Sequence, residues 1–241
     1  MQINGLQKLS LIDYPEKISA VVFLTGCNFR CPFCQNPELA DYCYCGETAQ
    51  IKILQEDFFK FLKSRKKLLS GVSITGGEPT INADLPEFIS KIKKLGFSVK
   101  LDTNASDPLM IEKLIKKNLI DYFAADVKSS PKSYEKASGV KIDVKKIEES
   151  LKIISKSKIP FELRTTAAPG IVNQEEIEKI KKWLKNLGIL EKAEIFAIQQ
   201  FRNEKTLDKK FKKIKPYSDD ELKSFGKILE PHVKKVEIRG I

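Results

Sequence analysis

Ala20-Val21-Val22-Phe23-Leu24-Thr25-Gly26-Cys27-Asn28-Phe29-Arg30-Cys31-Pro32-Phe33-Cys34-Gln35-Asn36-Pro37 is the stretch on which the fold turns. Its first five residues are apolar and rich in β-branched and aromatic types, which reads as a buried parallel strand. Three thiols at C-x3-C-x2-C spacing follow at once. Such a triplet can hold a metal or a cluster, but it cannot complete a four-ligand cage alone. Thiolates favour zinc or iron-sulfur centres, and structural zinc usually draws its sulfurs from paired C-x2-C knuckles. No second such pair is present. The readings left open are three structural thiols, a zinc knuckle, or a 4Fe-4S cluster with one iron available to another ligand.

From residue 19 onward, strand-like runs alternate with amphipathic helical stretches. Strands are predicted at 19–25, 71–75, 97–102, 121–127, 160–166 and 193–198, with a further short run at 233–238. Helices are predicted at 53–68, 84–95, 108–117, 143–156, 173–187 and 218–230. Strands separated by helices call for parallel pairing with right-handed crossovers, and six such units point to an α/β fold, an open partial (β/α)6 barrel. Local punctuation agrees: Asn82-Ala83-Asp84 and Asp107-Pro108 precede helices, while Gly96 and Gly188 end them. No composition shift marks a boundary. The expectation is one domain over 1–241, with a polar, turn-rich lead-in at 1–18, a core at 19–200 and a C-terminal helical and short-strand extension at 201–241.

Composition narrows the function classes. The 241 residues are 41% hydrophobic, enough to bury a core, and no run reaches the length needed to span a membrane. Without a signal-peptide core at the start, the expected location is the cytoplasm. Five Cys, three of them clustered, do not form a disulfide framework in a chain this long. The net charge of +11 comes from 38 Lys and only five Arg, interspersed with Glu and Asp along helical segments. That pattern describes solvated helix faces. With no nucleic-acid motif beside it, it argues against a nucleic-acid role and fits an acidic protein partner.

In parallel α/β folds the loops after the strands' C-terminal ends build the active site, and the unusual motifs of this chain fall at such ends. Gly76-Gly77 would let backbone approach a ligand, and Glu78 could accept from an ammonium. Asp102 and Asp126 end apolar strands, where a carboxylate is costly unless a ligand or cation meets it; the plainer alternative is that both are caps or loop acids. Arg164, one of few Arg, lies within a strand and suggests forked hydrogen bonding. Cys43 and Cys45 form a C-x-C pair that could ligate a metal with another subunit or be two inert thiols.

The Cys triplet with Phe33 before its last Cys, followed about 40 residues later by Gly76-Gly77-Glu78-Pro79, resembles the radical S-adenosylmethionine (SAM) superfamily. Within it the chain is similar to activating enzymes of glycyl-radical enzymes, in particular the anaerobic ribonucleoside-triphosphate reductase activating group. The resemblance implies that Cys27, Cys31 and Cys34 bind three irons of a 4Fe-4S cluster and that SAM chelates the fourth through its amino and carboxylate groups. Gly76, Gly77 and Glu78 would border the SAM amino group. Asp102-Thr103-Asn104 and Asp126-Val127-Lys128 are similar to the activases' D-T-N-G and D-x-K motifs, with Ala105 in place of the Gly. In the pyruvate formate-lyase activase the matching Asp, Thr and Asp line a monovalent cation, which implies such a cation near Asp102, Thr103 and Asp126, and the matching Lys implies a SAM contact for Lys128. Arg164, Pro169 and Gly170 match the R-x4-P-G pattern and give Arg164 to the SAM carboxylate or ribose. Gln199 and Gln200 stand where the related activase presents a His and would meet the nucleoside, and Asn36 would touch the nucleoside or turn the loop. Ser10-Leu11-Ile12-Asp13-Tyr14-Pro15 resembles the family's lead-in.

The activity so implied is reductive cleavage of SAM and formation of a glycyl radical on a partner enzyme, expected to be anaerobic ribonucleotide reductase. A reduced flavodoxin or ferredoxin-type protein would be the electron donor. Two alternatives stay beside it: a radical SAM enzyme acting on a small molecule, such as a deazapurine-forming synthase, and a non-enzymatic iron-sulfur electron carrier or zinc-stabilised nucleic-acid binder.

Overall fold

The computed structural model describes residues 1–40 and 53–241. Cys43 and Cys45 lie outside the described residues. Strands are β1 (Ile3–Ser10), β2 (Ser19–Leu24), β3 (Gly71–Gly76), β4 (Ser98–Thr103), β5 (Tyr122–Asp126), β6 (Phe161–Ala167), β7 (Ile195–Gln200) and β8 (Val236–Arg239). Helices are α1 (Pro37–Ala40), α2 (Gln55–Ser64), α3 (Leu85–Lys94), α4 (Pro108–Lys116), α5 (Tyr134–Ser138), α6 (Val144–Lys156), α7 (Gln174–Asn186) and α8 (Asp219–Leu229). The contacts form two compact units, Met1–Asn28 with Glu38–Thr103 and Leu109–Phe123, and Phe29–Pro37 with Asn104–Pro108 and Ala124–Ile241.

In the first unit the strand order is β1-β2-β3-β4. β2 and β3 run parallel in register from Ser19↔Gly71 to Leu24↔Gly76, and β3 meets β4 from Gly71↔Ser98 to Ile74↔Leu101. The thiol loop and the Gly-Gly turn therefore leave neighbouring strands at the same level. β1 corrects the turn-rich reading of the N-terminal segment: it pairs antiparallel with β2 from Ile3↔Leu24 to Ser10↔Ser19, with two register irregularities. It escapes a pattern reading because Asn4 to Leu9 are only half-buried or exposed, so no alternation marks it. Phe58 of α2 and Phe88 of α3 stack at 5.3 Å, and Val22, Leu24, Ile74 and Leu101 of the sheet are all fully buried. Rings buried in this way stabilise by about 2–3 kcal/mol each.

In the second unit the order is β5-β6-β7-β8, with β6–β7 and β7–β8 parallel. Helices α6, α7 and α8 turn Ile147, Leu151, Ile177, Ile180, Leu222 and Phe225 inward at helical spacing. Their starts are capped: Asp143 accepts from the Lys145 amide, Asn173 from the Glu176 amide, and Ser218 with Glu221 forms a capping box. Gly188 follows α7 at a φ of +65°, as a C-terminal stop requires. The architecture is α/β, with parallel strands, one antiparallel edge strand and outer helices.

Candidate active site

Cys27 belongs to the first unit and Cys31 and Cys34 to the second. In the first unit backbone bonds fix the loop leaving β2: the Gly26 amide donates to Leu39 O at 2.7 Å, Cys27 to Ala40 O at 3.0 Å, and the Glu78 amide returns to Gly26 O at 2.7 Å. The Gly-Gly turn lies directly on this loop. A Cβ at Gly77 would collide with the Gly26 carbonyl and one at Gly76, at φ +125°, with the Leu24 backbone, so any side chain here would drive the two strand ends apart.

Glu78 is 1% exposed. Its Oε1 accepts from the Thr80 amide at 3.0 Å, the Thr80 hydroxyl at 2.6 Å and the Thr103 hydroxyl at 2.7 Å. The second and third motifs are thus tied through one carboxylate oxygen, and Thr103 serves Glu78. Asp102 meets Lys100 Nζ at 2.5 Å, and Lys100 is itself buried. A lysine in the middle of a strand escapes a pattern reading, yet its spacing of two from Asp102 places both on one face. Ala105, where the family has Gly, sits at a φ of +60°. The backbone keeps the left-handed form with a side chain that does not favour it.

In the second unit the rest of the thiol loop is clasped from two sides. The Arg30 amide donates to Ser138 O at 2.7 Å, and Gly139, at φ +70°, packs so closely that a Cβ would strike the Arg30 carbonyl. From the segment after β7, the Asp208 amide donates to Pro32 O at 3.0 Å and Phe211 packs on Phe33 at 6.4 Å. Cys31 is buried and Cys34 half-exposed. Burial pushes the Cys31 thiol up to about 11 against the pull of the Lys128 ammonium and with the repulsion of Cys34 and Asp126.

That ammonium belongs to a charge cluster made by the end of β5 and the middle of β6. Asp126 accepts from Lys128 Nζ at 2.8 Å through one oxygen and from Arg164 Nε at 2.8 Å through the other. Burial would raise the Asp126 carboxyl, but Arg164 and Lys128 together hold it down to about 2. Lys128 is pushed the other way: burial disfavours its charge, and Asp126, with the Cys31 thiol, more than offsets this. The backbone clamps the geometry, since the Val127 amide donates to Arg164 O at 2.8 Å and the Thr165 hydroxyl to Val127 O at 2.9 Å. Ser129 and the Ser130 amide then bind the buried Glu176 carboxylate at 2.6 and 2.8 Å.

Gln199 and Gln200 end β7. Gln200 donates to Tyr217 O at 2.6 Å, while its Oε1 is buried with no hydrogen-bond partner among the described residues. Asn36 is exposed; the amide turned inward in that loop is Gln35, whose Nε2 is likewise buried without a partner. Gln35 was signalled only by adjacency to Cys34. Among the described residues, no group of three or more His, Cys, Asp or Glu is drawn tightly enough to hold a single metal ion. A four-iron cluster asks for something else, one thiolate on each of three irons, spaced more widely than the shell around one ion. The donor set fits such a cluster: soft sulfurs only in the loop, a buried member, and an ammonium able to offset thiolate charge.

Comparison with known proteins agrees with this chemistry. The model of the Radical SAM superfamily matches residues 21–184. A protein of Methanocaldococcus jannaschii, provisionally named a glycyl-radical enzyme activating enzyme, is 38% identical over 99% of this chain and 96% of its own length. The pyruvate formate-lyase-activating enzyme of Clostridium pasteurianum is 25% identical over 95% of this chain and 97% of its own. Among solved structures, SuiB of Streptococcus suis, bound to its precursor peptide SuiA, superposes with a TM-score of 0.68 at 16% identity over 91% of this chain. The chain spans only 48% of that SuiB structure, and the likeness is one of fold, with which an open partial barrel is consistent. Superfamily membership implies a 4Fe-4S cluster and SAM. The chain belongs to the radical SAM superfamily and, within it, to the family of glycyl-radical enzyme activating enzymes.

Proposed function

We propose that this chain generates a glycyl radical on a partner enzyme and that the partner is an anaerobic ribonucleotide reductase. The cluster would be held by Cys27, Cys31 and Cys34. The observation that carries this reading is the Asp126–Lys128–Arg164 cluster, in which one carboxylate holds two cations. When bound, the cluster and SAM would supply one-electron reductive cleavage of a C–S bond, and with it the means to remove hydrogen from a glycine Cα.

The chain's own residues bind and orient. Lys128 and Arg164 offer donors to the SAM carboxylate or ribose, with Asp126 fixing both cations. Gly76 and Gly77 admit the SAM amino group to backbone, and Glu78, pinned by Thr80 and Thr103, shapes that turn rather than moving toward the ligand. Gln200, through its unpartnered Oε1, accepts from the nucleoside, with Gln199 beside it; Asn36 and Gln35 line the loop side. In the first unit Asp102 is held by Lys100 and Thr103 by Glu78, and the resemblance gives both to the SAM side. Asp102 and Asp126 are each countered by the chain's own lysine, so the monovalent cation suggested by the pyruvate formate-lyase activase gains no support from the charges here.

We take 1–241 as one radical SAM domain working in the cytoplasm, with a reduced flavodoxin or ferredoxin-type donor. The choice of ribonucleotide reductase rests on the resemblance to the anaerobic ribonucleoside-triphosphate reductase activating group. The test is anaerobic: reconstitute the cluster, reduce it, add SAM, and look for 5'-deoxyadenosine and methionine. Then mix with candidate glycyl-radical enzymes and record electron paramagnetic resonance. A glycyl doublet only with a formate-lyase-type partner would overturn the choice of reductase; no 5'-deoxyadenosine from an intact, reduced cluster would overturn the activity.

A further inference from the structure

Asp126, Lys128 and Arg164 are one end of a longer row of alternating charges. Arg164 Nη1 lies 4.0 Å from Glu162 Oε1, so its guanidinium stands between two carboxylates, Asp126 at 2.8 Å and Glu162. Glu162 is 1% exposed, and an anion buried so deeply draws any cation within reach. It is met by Arg239 of β8, which donates Nη1 to Oε1 at 3.1 Å and Nη2 to Oε2 at 2.7 Å, a two-pronged fork. Glu237 holds that fork in place, accepting from Arg239 Nε at 2.9 Å and Nη2 at 2.6 Å.

The strand between makes this reach feasible. β7 lies between β6 and β8, with Arg164 opposite Ala197 and Ala197 opposite Glu237. On that row β7 offers only a methyl group, and a guanidinium can pass over it. A larger residue at 197 would occupy the crossing.

We propose that Arg239 is a positioning residue: by occupying both oxygens of Glu162 it reserves Arg164 for Asp126 and so keeps the Arg164 guanidinium at the strand end. When Arg239 is removed, Glu162 loses two charge-assisted hydrogen bonds, and the nearby Arg164 turns back along β6 toward it. The inference concerns the aim of Arg164 and rests on the reading above only for what that aim serves, the binding of SAM.

Two readouts separate these parts. The chain has five Arg, so 15N-arginine labelling gives five Nε–H signals, with that of Arg164 assigned by its loss in Arg164→Lys. On the full chain with its cluster reconstituted and oxidised, Arg239→Met is expected to shift the Arg164 signal and speed its exchange with water. Glu162→Gln on the Arg239→Met background is expected to return it, because the competing charge is gone. A β8 that merely props the fold would not be rescued by Glu162→Gln. SAM affinity should follow in parallel, falling about tenfold in Arg239→Met and recovering to within about threefold in the double variant, since the loss of a charged hydrogen bond is of that size. An Arg164 signal unmoved in Arg239→Met, or moved and not rescued, overturns the inference. A signal that moves and is rescued while SAM affinity stays level upholds the positioning of Arg164 and overturns its assignment to SAM.

Discussion

Asp126→Asn should be a costly isosteric change in the second unit. The side chain keeps its size and loses the charge that Lys128 and Arg164 share. Those cations are 18% and 12% exposed, so neither can recover full hydration. Removing one partner of a fully buried pair costs about 3–5 kcal/mol, which partial exposure reduces to roughly 2–3 kcal/mol here. Linkage gives a second estimate. A carboxyl held at about 2 instead of 3.8 stabilises the fold, at neutral pH, by an amount that comes to roughly 2.5 kcal/mol. The two agree, and for a chain of this size they correspond to a fall in Tm of about 5–10 °C. The sign with pH follows from the lowered carboxyl: its contribution is fully present above the unfolded value and disappears as pH drops through the folded one. About half should therefore be gone by pH 3. Urea unfolding followed by Trp183, the single tryptophan, measures this. The cluster-free chain should be used, since acid strips iron from thiolates. A wild-type-to-variant gap that does not narrow between pH 6 and pH 3, or one under about 0.5 kcal/mol at pH 6, would refute the shared-counterion reasoning.

Three further outcomes are expected. Thr103→Val should cost roughly 1–3 kcal/mol in the same unfolding assay, because the buried Glu78 Oε1 loses one of its donors; Thr103→Ser should retain most of the stability. Gly77→Ala should lower Tm by several degrees or yield insoluble protein, since its Cβ meets the rigid Gly26 carbonyl rather than a side chain that can swing away. Ala105→Gly should stay within about 1 kcal/mol of wild type: relief of the left-handed conformation is offset by the buried methyl and by the greater freedom of glycine when unfolded.

Periodicity located six strands and six long helices because each carries its own pattern of buried residues. β1 carried none, since its pairing with β2 rather than a buried face defines it. α5 was missed for want of length: Tyr134–Ser138 is too short for a helical stripe. At the site, Asp126 and Lys128 were legible as charges at a strand end and Arg164 as a charge within a strand, and they do converge. What remained hidden was the division of labour. The pairing of Lys100 with Asp102 was within reach of a spacing argument, but Thr103's service to Glu78 and Arg239's grip on Glu162 join residues far apart in sequence, and neither residue type nor spacing announces such a partner. The Cys triplet gave the kind of cofactor, while the inward turn of Gln35 and the exposure of Asn36 depended on how the loop folds back.

The clasp on Pro32 and Phe33 bears on the order of assembly. Asp208 and Phe211 emerge from the ribosome long after the thiols. Until they arrive, the second half of the loop lacks one of its two walls, and a thiol later buried stands open to adventitious metals and oxidants. The wall that Asp208 and Phe211 supply is therefore completed only once the chain has been synthesised as far as residue 211.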